Sequence, residues 1–272
     1  VTACRLVDEP LAGTSPRADT WWLVEDSGPW GDRAPATSRR HGVRDLASDA
    51  LRRVLLVRPT VRRKDAEDRA LTIWIVSGSG DLPRRHVTSH PAEIVDWPVS
   101  GDPSAQQDDE TADAPTLLIC TNSARDACCG IAGRELVRHL GARIGVWESS
   151  HLGGHRFAPT ALQTRQGMVY GRLTPEAAIV TLDADALDPA LGAFMRGSPA
   201  LDPAAQVAEL AVLTQWGIRG AVTATTDTTV GMDLGDGRRA TVTVRPVPLN
   251  PRPVSCGAEP TAGTAWEATQ VV

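Results

Sequence analysis

The chain has 272 residues, 42% hydrophobic and 22% charged, enough apolar material for one large domain or two smaller ones with real cores. Its formal net charge of −5 excludes a sequence-independent nucleic-acid binder, which is normally basic. No apolar run is long enough to span a bilayer, and V-T-A-C-R-L-V-D-E-P lacks the basic and apolar regions of a signal peptide, so a cytoplasmic protein is expected.

Residues 1–19 are irregular, with Pro10, Gly13 and Pro16. Thr20 to Glu25 is apolar enough for a buried strand, and S-G-P-W-G ends it with a turn. Val43 to Val54 carries helical spacing, and Val54 to Val57 and Ala70 to Val76 are β-rich, separated by a charged connection at 59–69. H-P-A-E-I-V-D-W at 90–97 predicts a short helix, and the polar, acidic, turn-rich stretch 98–115 predicts a linker or long loop. Residues 1–112 therefore form an N-terminal α/β region.

A second region, 113–190, begins with a buried strand at Thr116 to Cys120. Asp126 caps a helix expected to run to about Leu140 and to stop at Gly141. Ile144 to Glu148 is a strand, and Thr160 to Gln163 with Met168 to Gly171 reads as a hairpin around R-Q-G. Thr174, Pro175 and Glu176 mark a helix start, with Ile179, Leu182 and Ala186 on one face. The order β-α-β-β-β-α predicts an α/β fold with mixed strands. In the third region, 191–272, Asp202-Pro203 opens a helix expected to end at Trp216-Gly217. Strands at Ala221 to Thr226, Val230 to Leu234 and Ala240 to Val244 follow, then an extended stretch at Pro246 to Pro253 and a tail with little regular pattern. Residues 71–96 echo 160–180, each reading strand, glycine turn, short helix; a duplicated α/β unit and chance similarity both account for this.

The cysteines number five and are unevenly spread, which in a reducing compartment reads as a metal or redox site rather than a disulfide scaffold. Cys120 ends a strand, Cys128 and Cys129 fall near a helix start that favours thiolates, and His151 and His155 flank Leu-Gly-Gly. Taken singly, each is more simply a buried thiol or a loop histidine. Together they are the soft ligands of zinc or an iron–sulfur cluster. Adjacent cysteines rarely point the same way, so one of Cys128 and Cys129 is expected at the site. The spacing is wider than zinc ribbons use, and there is no C-x-x-C for a thiol–disulfide oxidoreductase acting through Cys128 or Cys129. Asp183, Asp185 and Asp188 read as the polar face of a helix rather than a glycosidase carboxylate pair. Phosphate-loop and dinucleotide fingerprints are absent from the sequence, and Cys4 and Cys256 have no assignable partners in it.

The motifs C-T-N-S at 120–123, R-D-A-C-C-G at 125–130, S-H-L-G-G-H-R-F-A-P at 150–159 and G-M-V-Y-G-R-L-T-P-E at 167–176 resemble those of sucrase/ferredoxin-like proteins. Weaker likeness extends to 22–31, 54–59 and 255–257. The resemblance implies a thioredoxin-like ferredoxin domain with one [2Fe–2S] cluster on Cys120, Cys129, His151 and His155, with Cys128 in reserve as the second thiolate. It implies an electron carrier rather than a substrate-transforming enzyme, working with a reductase donor and an acceptor protein, with room for a homodimer. Many members have His-Gly where this chain has Asn122-Ser123, a departure that bears on hydrogen bonds near the cluster. Two neutral imidazoles in place of two thiolates raise the potential. The free nitrogen of each imidazole couples electron uptake to proton uptake, so the potential is expected to fall as pH rises near and above neutrality. The runner-up readings are a zinc protein on the same ligands and a thioredoxin-like thiol enzyme. Arg125 and Arg156 are candidates for tuning the site or docking a partner.

Overall fold

The computed structural model describes residues 4–40, 42–46, 51–61, 71–80, 84–88 and 114–272. A nine-stranded mixed sheet organises it. Its strands are β1 (Thr20–Glu25), β2 (Arg52–Pro59), β3 (Leu71–Ser77), β4 (Arg84–Thr88), β5 (Leu117–Cys120), β6 (Val146–Ser149), β7 (Ala161–Gln163), β8 (Met168–Tyr170) and β9 (Met195–Gly197). The order across the sheet is β4-β3-β1-β2-β6-β5-β7-β8-β9.

This order is nearly a palindrome. In the first half β1 runs parallel to β2 and antiparallel to β3, which pairs antiparallel with β4. In the second half β5 runs parallel to β6 and antiparallel to β7, which pairs antiparallel with β8. The halves meet where β2 and β6 pair antiparallel, Val57 with Ser149, Arg58 with Glu148 and Pro59 with Trp147. The pairs β3 with β4 and β7 with β8, which fall within the echoing segments 71–96 and 160–180, thus hold equivalent places.

The second half follows the predicted β-α-β-β-β-α order, with α1 (Arg134–Leu140) between β5 and β6 and α2 (Pro175–Asp183) after β8. Thr174 caps α2 by accepting from the Ala177 N–H at 3.2 Å. Alternation along β5 splits the packing: Leu117 and Ile119 face α1 and α2, while Leu118 and Cys120 face a core shared with Trp21, Leu23 and Trp74 of the first half. That shared core makes the two halves one packed body.

Beyond the large sheet, α3 (Pro203–Trp216) starts at Asp202, which accepts from the Ala205 N–H, and stops at Gly217 in a left-handed conformation, φ 70°. It packs on a four-stranded antiparallel sheet of β10 (Ala221–Thr225), β11 (Thr229–Asp233), β12 (Arg239–Pro253) and β13 (Pro260–Val271). Among the described residues, no helix is long and apolar enough to cross a membrane.

Three expectations change. Among the described residues, the helical spacing from Val43 gives only a 3₁₀ turn at Val43–Asp45, and residues from Arg52 are already strand because they pair with β1. The tail is the long strand β13, ordered by pairing with β12 rather than by its own pattern. Asp188 is not on a continued α2; it caps a separate 3₁₀ turn by accepting from the Ala190 N–H. The expected helix at 90–97 and most of the 98–115 linker lie outside the described residues.

Candidate metal centre

Cys120 is the last residue of β5, and the chain turns there into the helical segment that leads to α1. A π-helical turn, Cys129–Gly133, follows Ala127 and Cys128 at the start of that segment, with Cys129 turned back toward the strand end. The approach depends on Gly133, since a Cβ there would lie 2.0 Å from the Cys120 carbonyl oxygen. His151 and His155 come from the loop after β6. Gly153 and Gly154 lie between them at φ 97° and 72°, so the loop curls back on itself.

The ligand atoms of Cys120, Cys129 and His151 all lie within 4.8 Å of one another. His155 is not in that set but stands beside it, its ring centroid 5.0 Å from that of His151. Cys128 points elsewhere: its sulfur lies 3.6 Å from Cys4 and 3.0 Å from Cys256. The adjacent cysteines therefore serve two separate clusters. The sulfur side of the first is sealed by Leu118, Leu152, Leu162 and Trp147, whereas the two histidines are half-buried.

The electrostatics favour the ligand forms of Cys120 and His155 and oppose that of Cys129. The Cys129 thiol donates toward Cys120 and, against the cost of burial, His151 and the Leu152 N–H help to hold Cys120 as thiolate, well below the usual thiol range. The same pairing, with burial, pushes Cys129 up. Burial lowers the pKa of His155, outweighing the Asp126 carboxylate 3.8 Å from its Nε2, so the imidazole is kept neutral. Nδ1 of both His151 and His155 is buried without a hydrogen-bond partner, which costs free energy that coordination would recover.

Arg196 holds the histidine loop from behind. It is 2% exposed and donates to the carbonyl of Gly153 at 2.8 Å, to Thr14 Oγ1 at 3.1 Å and to the Thr14 carbonyl. Burial lowers its pKa to about 9, still charged at neutral pH. Arg156 is structural: it makes a two-pronged pair with buried Glu9, which takes a second such pair from Arg252. Arg125 is exposed. Asn122 donates to the Gly31 carbonyl at 3.0 Å and accepts from the Ala124 N–H, tying the loop after β5 to the loop after β1 rather than to a ligand.

Sequence reasoning missed Asp126 as more than a cap. Its Oδ1 accepts from the Cys128 N–H at 2.8 Å and its Oδ2 from the Cys256 N–H at 3.0 Å. Burial works against its ionisation, but these N–H groups and His155 outweigh it and hold the carboxyl below its usual range. Glu9 and Arg196 were missed because each acts on residues far away in the chain.

The sucrase/ferredoxin-like family model matches residues 11–190, more than half of the chain. The chain belongs to the sucrase/ferredoxin-like family. No curated protein and no solved structure matches it. Within this family member, the matched segment carries all four candidate ligands of the first cluster and one cysteine of the second.

Proposed function

We propose that the protein is an electron carrier with one [2Fe–2S] cluster held by Cys120, Cys129, His151 and His155. The observation that supports this best is the convergence of Cys120, Cys129 and His151 at the buried end of β5, in a chain of this family, with His155 alongside. Such a cluster takes up and returns one electron at a time and supplies no hydrolytic chemistry.

The chain's own residues provide the rest. The Leu152 N–H directs a hydrogen bond at Cys120, which lowers the negative charge felt at the sulfur and, like the neutral imidazoles, favours reduction. The apolar wall of Leu118, Leu162 and Trp147 excludes water on the thiolate side. With Nδ1 on the cluster, His155 Nε2 is the atom at which a proton would be held, because Asp126 Oδ2 3.8 Å away favours the neutral imidazole over imidazolate. A reductase would supply electrons over the half-buried histidine side.

The test is an anaerobic visible and EPR spectrum before and after dithionite, with iron and sulfide assayed on the same sample. An S = 1/2 signal on reduction, with about two irons and two sulfides per chain, is expected. Cys120→Ser should abolish both, and His151→Cys and His155→Cys should retain iron at a lower potential. Protein that takes up no iron even after anaerobic reconstitution would sink the proposal.

A further inference from the structure

The second cluster brings together three cysteines with no relation in the sequence. Cys4 lies on a 3₁₀ turn at Cys4–Leu6, Cys128 at the start of the helical segment before α1, and Cys256 in the connection between β12 and β13. Their sulfurs form a triangle: Cys4 to Cys128 3.6 Å, Cys4 to Cys256 3.6 Å, Cys128 to Cys256 3.0 Å. Asp126 closes the group, its Oδ1 3.5 Å from Cys256 Sγ, and all four ligand atoms lie within 4.8 Å of one another. Two backbone N–H groups hold the carboxylate in place, so its position is fixed before any ion arrives. Cys4 and Cys128 are buried, and Ala132 and Ala158 pack around them.

We propose that Cys4, Cys128, Cys256 and Asp126 form a second metal site, which takes zinc. The three sulfurs around tetrahedral zinc, at about 2.3 Å from the ion, stand about 3.8 Å apart. The observed triangle is slightly tighter and would open to that size with small side-chain movements. A disulfide needs about 2.05 Å and would leave the third thiol unpaired. Thiolates select zinc over magnesium or calcium, and three sulfurs with one carboxylate oxygen complete a tetrahedron without an open position, the arrangement of a structural site. Binding breaks three S–H bonds, sends three protons to solvent and forms three Zn–S bonds and one Zn–O bond; no electrons move.

The site's place explains its use. Cys4 and Cys256 both lie outside the segment 11–190 that matches the family, whereas Cys128 and Asp126 lie inside it. Zinc would therefore fasten both flanks of the chain to the domain, beside the loop of His151 and His155. Glu9, paired with Arg156 and Arg252, joins the same three stretches by charge.

The proposal does not depend on iron, so its test is read on the zinc edge. Full-length protein is dialysed against a chelator, its zinc and iron are counted, and zinc-edge X-ray absorption is recorded. Expected are about one tightly held zinc per chain and a first shell of about three sulfurs and one oxygen. Cys4→Ser and Cys256→Ser should each lower zinc at least about fivefold while Cys120→Ser leaves it unchanged. Three titratable thiols without zinc, another metal in this site, or a Cys128–Cys256 disulfide making the protein lighter by a pair of hydrogens, would each overturn it. A zinc shell of two sulfurs and two nitrogens, retained in Cys4→Ser, would do the same by placing the zinc at the first cluster. If the variants do not fold, the wild-type shell alone decides.

Discussion

Strands β1–β4 and β5–β8 share one order and one set of pairing directions, yet among the described residues thiols and imidazoles crowd only the second. Where β5 ends in Cys120, β1 ends in Glu25. After β5 comes a helical crossover; among the described residues between β1 and β2 there is only a 3₁₀ turn. Each loop is arranged by a buried aspartate, but to different ends. Asp26 accepts from the Gly28 N–H and the Ser38 hydroxyl and so completes its loop internally. Asp126 accepts from the N–H groups of two cysteines and positions their sulfurs. The comparison teaches that the strand plan supplies a frame, and that chemistry depends on what the loops at the ends of the parallel pair carry.

The comparison can be broken most severely in the first half. Trp21 has no exposure and packs with Leu118 and Leu162 across the shared core. Trp21→Ala is expected to cost about 3–5 kcal/mol and to lower the melting temperature of the whole protein in one transition. Two transitions by calorimetry would show that the halves fold separately.

Next is the Glu9 clasp. Burial opposes its ionisation, but Arg252 and Arg156 bring its pKa down to about 2. A carboxyl depressed in the folded state stabilises above its unfolded pKa and loses that contribution as pH falls. Roughly 3 kcal/mol should disappear between about pH 4.5 and pH 2. Glu9→Gln, followed by denaturant titration at neutral pH and again in acid, should be destabilised at neutral pH and flatter in its acid dependence.

The seam between the halves is a smaller effect. Arg58 donates to Glu148 at 2.7 Å, and the Thr121 hydroxyl donates to the same oxygen at 2.6 Å. Burial again opposes ionisation, and Arg58 and Thr121 hold the carboxyl below its usual range. Glu148→Gln should cost about 1.5–3 kcal/mol by chemical denaturation at neutral pH, with the difference from wild type vanishing in acid. Asn122→Ala, which removes the link to Gly31, should cost about 1 kcal/mol and leave iron content unchanged; loss of iron would mean that the first half positions the ligands directly. Least is expected of Arg245→Ala, whose pair with Glu267 is exposed, at under about 0.5 kcal/mol.

How much of this was legible in the sequence follows physical range. Elements with local signals were readable: the apolar run of β5, the Thr174 and Asp202 caps, and Gly217 past the end of α3. Elements specified by a distant partner were not. β13 has no alternation to announce it and exists because β12 offers a row of hydrogen bonds. The helical spacing after Val43 lost, at its end, to pairing of Arg52, Arg53 and Val54 with β1. The same rule divides the two clusters. Cys120, Cys129 and His151 sit on successive elements of one α/β unit, so nearness could be inferred from order. Cys4 and Cys256 are separated by 252 positions, and only the folded chain puts their sulfurs 3.6 Å apart.

One peptide bond separates Cys128 from Cys129. In a helical turn consecutive side chains diverge by about 100°, so the two sulfurs leave the backbone in different directions, one into each cluster. The chambers are thereby indexed to each other: rotating this turn by one residue would swing both sulfurs out of place at once. The chain has no slack there for an insertion or a deletion, and the spacing from Asp126 to Cys129 acts as a common gauge for both clusters.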